Sequence, residues 1–125
     1  MKKVILATVM GVAAVSSIST ANAASTAQVF CAGTAGNAIT AATVTAASSF
    51  VKVAFTPKCS ANVHLAGSDS DTYFRVGSAS TKGKTPFAGS TNGGAVVPAG
   101  SSCAAAVCTA ADATTAMSST YAATS

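Results

Sequence analysis

The stretch SSFVKVAFTPKCSANVHLAG, residues 48–67, decides the fold. In residues 51–55 every second side chain is large and apolar, which is the pattern of a half-buried strand. Pro57 interrupts this pattern, and residues 59–65 alternate again, with Cys59 on the apolar face and His64 on the polar face. We therefore expect two consecutive strands, an exposed His64 and a cysteine that points into the core.

Shorter strand signals lie on both sides of this stretch. Val29 and Phe30 form an apolar cluster that precedes a glycine-rich turn. Residues 72–76 are rich in aromatic and β-branched side chains and predict a third strand. Residues 95–98 predict a brief strand, and Pro98 confines it to a sheet edge because proline has no backbone N–H to donate.

The remaining segments carry turn signals or are ambiguous. Glycine, asparagine, serine, aspartate and proline predict turns over residues 67–71 and 83–94. Residues 39–49 mix alanine with β-branched side chains, and the β interpretation is narrowly preferred. Residues 104–116 are rich in alanine and are compatible with helix or strand. The prediction is a mainly β, small, disulfide-stapled antiparallel β-sandwich or β-sheet domain, with a possible short helix near the C-terminus.

The four cysteines are Cys31, Cys59, Cys103 and Cys108. An even number in a small exported domain is typical of paired cysteines. Three connectivities are possible; we prefer Cys31 with Cys59 and Cys103 with Cys108, because the CAAAVC spacing closes a small loop. In the chain-entropy model, the longer loop stabilises the fold by roughly 3 kcal/mol.

A zinc site and a redox dithiol are the functional alternatives for these cysteines. Zinc ligand pairs usually have two to four intervening residues, and CAAAVC has four, but His64 is the only histidine and the other cysteines are distant. Redox motifs have two intervening residues within a βαβ unit, which is absent from this sequence pattern. Structural disulfides are therefore expected, with no metal or cofactor site.

The N-terminus has the features of a Sec signal peptide. Lys2 and Lys3 precede an apolar run over residues 4–15, and Ala21-Asn22-Ala23 forms a small-x-small cleavage site. A membrane anchor is the alternative, but the run is about a dozen residues, whereas a spanning helix needs roughly 20. We expect no membrane span after signal removal, and a protein in the periplasm, at the cell surface or outside the cell.

Residues 1–23 are thus predicted to be the signal peptide, and residues 24–125 a single small exported β-rich domain. Removing Lys2 and Lys3 from the seven basic residues leaves five, against three acidic residues, a net charge of +2. These five are scattered, so nucleic-acid binding is not expected. Only 19 of the 102 remaining residues are Val, Phe, Tyr, Ile, Leu or Met, which predicts a small apolar core that disulfides or neighbouring subunits must supplement.

Few residues could carry chemistry. His64 has no recognisable nucleophile motif near it, and Asp69 and Asp71 are too few to form a calcium loop, so a solvated turn is preferred. With no glutamate, paired-carboxylate hydrolysis would have to use two of Asp69, Asp71 and Asp112. The glycine-rich residues 89–97 lack the GK[ST] ending of a phosphate loop and instead predict a hairpin. No catalytic residue, and no enzyme, is predicted.

These observations favour an exported structural or adhesive subunit of a bacterial-type surface assembly such as a pilus, filament or surface layer, with self-association or other surface subunits as partners. In composition the chain resembles chaperone–usher pilins, although those generally carry a tyrosine next to the C-terminus, whereas Tyr121 lies four residues before Ser125. The alternative is a monomeric periplasmic or secreted module that binds a small molecule, glycan or protein. Tyr73, Phe74 and Arg75 beside a polar loop favour that alternative.

Overall fold

Seven β-strands and one α-helix are formed by the residues that the computed structural model describes, which are 27–40, 49–93 and 95–119. In chain order they are β1 (Gln28–Ala32), β2 (Gly36–Asn37), β3 (Lys58–Cys59), β4 (Val63–Ser70), β5 (Tyr73–Ser80), β6 (Phe87–Ser90), β7 (Val97–Pro98) and α1 (Ala110–Ser118). The prediction of a mainly β domain with a short C-terminal helix is confirmed.

The strands form two antiparallel sheets. The main sheet has the order β1-β4-β5-β6-β7, and β2 pairs with β3 in a small second sheet. The predicted short strands at Val29 and at residues 95–98 are confirmed as β1 and β7, which lie at the two edges of the main sheet. Pro98 lies on an edge strand, where its lack of a backbone N–H does not remove a hydrogen bond between central strands.

The hairpin β4–β5 forms the centre of the sheet, with continuous pairing from Val63 opposite Ser80 to Ser70 opposite Tyr73. The predicted third strand is confirmed and extends to Ser80. The predicted turn over residues 67–71 is wrong for residues 67–70, because β4 continues to Ser70 and the turn lies at residues 71 and 72. The predicted turn region 83–94 is likewise wrong for residues 87–90, which form β6. Gly67 serves packing instead: a Cβ atom there would lie 2.5 Å from the ring of Phe30.

The structure of residues 48–67 also differs from the two strands predicted there. Residues 51–57 form no regular strand, although their side chains alternate, and Val53 is 78% exposed. The backbone N–H groups of Phe50 and Val51 each donate to a carboxylate oxygen of Asp69, at 2.9 Å. The second predicted strand divides into β3 and β4, because Asn62 takes a left-handed conformation with φ of 65°.

Helix α1 packs on one face of the main sheet, which we call the helix face. It lies so close to β5 that a Cβ atom on Gly77 would come within 2.1 Å of the Ala113 carbonyl oxygen. Small side chains make this approach possible. The core of the helix face consists of alanines, the Cys103–Cys108 disulfide and Met117, and its buried alanines are Ala66, Ala79, Ala88, Ala99, Ala113 and Ala116.

Helix α1 begins later than the alanine-rich block does. Cys103 and Cys108 form a disulfide, so residues 104–107 are held in a short loop. Thr109 is the N-cap, and its backbone N–H and hydroxyl both donate to the carboxylate of Asp112, at 2.7 and 2.8 Å. These hydrogen bonds satisfy polar groups at the start of the helix.

The opposite side of the sheet, which we call the open face, has an aromatic cluster at its β1 end. The ring of Phe74 lies 6.3 Å from that of Phe30 and 6.4 Å from that of Phe55, measured between centroids. The second disulfide, Cys31–Cys59, packs beside Phe30. Both disulfides therefore have the preferred connectivity, and one supports each face of the sheet.

Some predictions lie outside the described residues. These are the signal peptide at residues 1–23 and most of the ambiguous segment, residues 41–48. Within residues 27–40, 49–93 and 95–119, no helix is long and apolar enough to cross a membrane. The two intramolecular disulfides are consistent with an oxidising, exported environment.

Candidate interaction surface

The open face has an apolar area that runs across β5, β6 and β7 and includes Phe55 from the segment before β3; we call it the open-face patch and define it by Phe55, Val76, Phe87, Val96 and Pro98. Strand register places Val76, Phe87 and Pro98 on this face. Val76 lies opposite Gly89, and Phe87 lies opposite Pro98. A Cβ atom on Gly89 would lie 3.1 Å from a methyl group of Val96 and 3.7 Å from one of Val76, so the two valines flank this glycine.

Phe55 extends the patch toward β1. Its ring packs edge-on against Phe74, whose side chain is on the same face as that of Val76 because strand side chains alternate. The backbone N–H of Phe74 donates to the Thr91 hydroxyl at 2.8 Å, and its carbonyl accepts from the Thr91 N–H at 2.9 Å. Phe74 therefore links Phe55 to Val76, and hydrogen bonds to Thr91 hold the backbone of Phe74 in place.

The patch is open to solvent, in contrast to the helix face behind it. Phe55 is 46%, Phe87 41% and Val96 69% exposed, whereas Ala88, the neighbour of Phe87 on β6, is 1% exposed. None of the five side chains of the patch titrates or ligates a metal. Contact with another apolar surface would remove both surfaces from water and would therefore be favourable.

His64 is not exposed, which corrects the prediction from residues 59–65. It is buried and lies beside Gly33, where a Cβ atom would come within 3.3 Å of the imidazole Cε1. His64 pairs with Ala79 on β5 and with Ala32 on β1, so its side chain is on the helix face. Its Nδ1 has no hydrogen-bond partner among the described residues. Both faces of β4 are covered, and alternation therefore does not separate buried from exposed positions.

The predicted acidic turn has a structural use. Asp69 belongs to β4, and both of its carboxylate oxygens accept backbone N–H groups of residues 50 and 51. Asp71 lies in the turn between β4 and β5. Across the described ranges, no group of three or more His, Cys, Asp or Glu side chains is placed to hold a metal ion.

The Tyr73-Phe74-Arg75 grouping does not form one surface. Phe74 points to the open face, whereas Tyr73 and Arg75 point to the helix face, since adjacent strand residues alternate. The Arg75 guanidinium donates to the Tyr73 hydroxyl at 2.7 Å and lies 4.7 Å from the ring centroid. Strand alternation therefore places these three residues on opposite faces of the sheet, and they do not form the single recognition surface that would favour a binding module.

A groove of about 260 Å³ lies between the helix and the start of β6. Three of its polar side chains form hydrogen bonds within the helix or with its N-cap: the Asp112 carboxylate accepts from Thr109, and the Ser118 and Ser119 hydroxyls donate to carbonyl oxygens of α1. The hydrogen bonds from the Thr109 backbone N–H and hydroxyl lower the pKa of Asp112. The groove is smaller than the roughly 300–1,000 Å³ of typical ligand pockets.

The sequence contained only part of the signal for the patch. Phe87 is conspicuous as a large apolar side chain in a turn-rich region, and Val96 adjoins a predicted edge strand. Which face each occupies depends on the register between β5, β6 and β7, and the sequence does not specify that register.

Comparison of the chain with protein-family models, with curated proteins and with solved structures finds no match.

Proposed function

We propose that the protein is an exported structural subunit of a surface assembly such as a pilus, filament or surface layer. The observation that carries the proposal is the placement of the large side chains. Phe55, Phe87 and Val96 are exposed, while wholly buried positions such as Ala66 and Ala113 hold alanine. Large apolar side chains contribute most to stability when they are buried, so their exposure favours a domain that neighbouring subunits complete.

The size of the domain supports the same proposal. A chain of about a hundred residues buries a smaller fraction of its surface than a larger protein does. Here alanines and two disulfides fill much of the core. A subunit of an assembly gains further stability from its neighbours, because any partner that binds only the folded state shifts the equilibrium toward that state.

The use of the acidic side chains also favours a structural role. Asp69 holds two backbone N–H groups of an irregular segment, and Asp112 holds the first turn of the helix. Each carboxylate accepts hydrogen bonds from backbone N–H groups that have no backbone carbonyl to bond with at that point of the chain. These roles account for both side chains through folding alone.

Sedimentation of the purified protein tests the proposal. The chain would be expressed with its predicted signal peptide in cells that export it, so that both disulfides form, and sedimentation velocity would be measured over a wide concentration range. The proposal predicts species larger than a monomer that grow with concentration. A monomer at every concentration would contradict it and would favour the monomeric binding module.

A further inference from the structure

We propose that the open-face patch is the surface through which two copies of this chain associate face to face. This inference rests on the proposed function and adds to it the identity of the contact surface. The patch consists of Phe55, Val76, Phe87, Val96 and Pro98, on the side of the sheet that α1 does not cover. The helix and the disulfide loop at residues 103–108 lie on the other side and remain free for further contacts.

The apolar area of the patch suits the centre of a dimer interface. An aromatic side chain has about 150–250 Å² of surface, so Phe55 at 46% and Phe87 at 41% exposure each present roughly 60–115 Å². With Val76, Val96 and Pro98, the patch presents on the order of 300 Å². A stable interface buries about 800 Å² per partner around an apolar centre. The patch supplies that centre, and polar neighbours such as Ser78 and Thr91 supply the rim.

A second copy matches this surface in its apolar character and in its lack of charge. In a two-fold contact the same patch is presented from both sides, so apolar area meets apolar area. None of the five side chains is charged, so the contact brings no like charges together at its centre. Sheets pack face to face at about 10 Å with interdigitated side chains, and a second copy would cover the part of the open face formed by β5, β6 and β7 in that manner.

A matched pair of substitutions tests the inference on the full exported chain. Val96→Asp places a charge in the patch, and Val107→Asp places the same charge in the disulfide loop. Val96 is 69% and Val107 50% exposed, so neither change buries a charge in the monomer. Circular dichroism would check that both variants fold. Sedimentation velocity would then give the Kd for self-association of each variant and of the wild type.

The expected result is at least a tenfold rise in Kd for Val96→Asp, equivalent to about 1.4 kcal/mol, with a much smaller change for Val107→Asp. Equal Kd values for the two variants, in a wild type that does associate, would overturn the inference and leave the proposed function standing. A wild type that stays monomeric would overturn both. Binding to phosphatidylcholine vesicles is a further test. If the monomer binds the vesicles and Val96→Asp abolishes that binding, the patch contacts a lipid surface rather than a second copy, which would also overturn the inference.

Discussion

Replacing Gly77 with alanine should loosen the helix from the sheet. The added Cβ would lie 2.1 Å from the Ala113 carbonyl oxygen and 2.4 Å from the Met117 nitrogen. Ordinary contact begins at 3.4 Å, so helix and strand must separate by about 1.3 Å, the difference between 3.4 and 2.1 Å. Both obstructing atoms are backbone, and no rotamer change can move them away.

The cost follows from the packing that this separation disturbs. A gap of 0.5–1 Å already removes a quarter to a half of the attraction between atoms in contact, and Ala66, Ala113 and Met117 all pack at this interface. Overpacking usually costs about 1–3 kcal/mol, and the lower entropy of unfolded alanine returns roughly 0.4–1 kcal/mol. Because both obstructing atoms are backbone, the upper end of the overpacking range applies, and we expect Gly77→Ala to lower the free energy of unfolding by about 2–2.6 kcal/mol, against the 5–15 kcal/mol typical of a domain.

Two other glycines serve as controls in urea unfolding followed by circular dichroism, with the disulfides intact. At Gly83 the nearest atom to an added Cβ is 3.6 Å away, so Gly83→Ala should be neutral or slightly stabilising. At Gly67 the obstruction is the ring of Phe30, at 2.5 Å, and a side chain can give way more than backbone can. The expected order of destabilisation is Gly77, Gly67, Gly83. A Gly77→Ala variant within about 0.5 kcal/mol of the wild type would refute the close helix packing.

Three further predictions concern the disulfides and the two structural carboxylates. Replacing both Cys31 and Cys59 with alanine should cost roughly 3 kcal/mol in urea unfolding, more than the corresponding change in the short-loop disulfide, because the longer loop restricts the unfolded chain more; equal costs would count against this explanation. Asp69→Asn puts an amide N–H against a backbone N–H and should cost about 1–3 kcal/mol, with faster hydrogen exchange at the amides of residues 50 and 51; unchanged exchange there would argue against the anchor. Because hydrogen bonds from the Thr109 backbone N–H and hydroxyl lower the pKa of Asp112 in the folded state, its stabilising effect is present above the unfolded pKa and is lost as the pH falls through the folded pKa. An NMR titration of the carboxyl should show a midpoint below its ordinary value, and a midpoint at that value would contradict the capping interaction.

The sequence predicted the features that depend on local chemistry. The cysteine spacing indicated the connectivity, because only CAAAVC closes a short loop. The edge position of β7 followed from Pro98, which has no backbone donor. The aromatic and β-branched content of residues 72–76 correctly predicted a strand, although β5 extends beyond it to Ser80.

Features that depend on long-range contacts were missed. The alternation in residues 51–55 resembles a strand, but the amides of residues 50 and 51 bond to Asp69 rather than to a neighbouring strand. Alternation along a half-buried strand predicts an exposed His64, yet His64 is buried on the helix face beside Gly33. Glycine at position 67 suggests a turn, whereas its small size in fact makes room for the rings of Phe30 and Phe74.

The helix face and the open-face patch were the least predictable. The helix face is packed with alanine, which carries little hydrophobic periodicity, so no pattern in the sequence distinguished its buried alanines from exposed ones. The patch combines Phe55 from an irregular segment with residues from three strands, and their proximity depends on register. Contact between copies depends on how whole chains meet in an assembly, and no local pattern in the sequence indicates such a contact.

The central claim is that this chain completes its apolar surface in an assembly outside the cell. The most direct measurement is ultracentrifugation of the native protein released from the cell surface by shearing, compared with the same fraction after dissociation in urea. We expect the native protein to pellet as large particles, and urea to return it to a single slowly sedimenting species with both disulfides intact. Native protein that stays in the supernatant at the size of a monomer would contradict the claim.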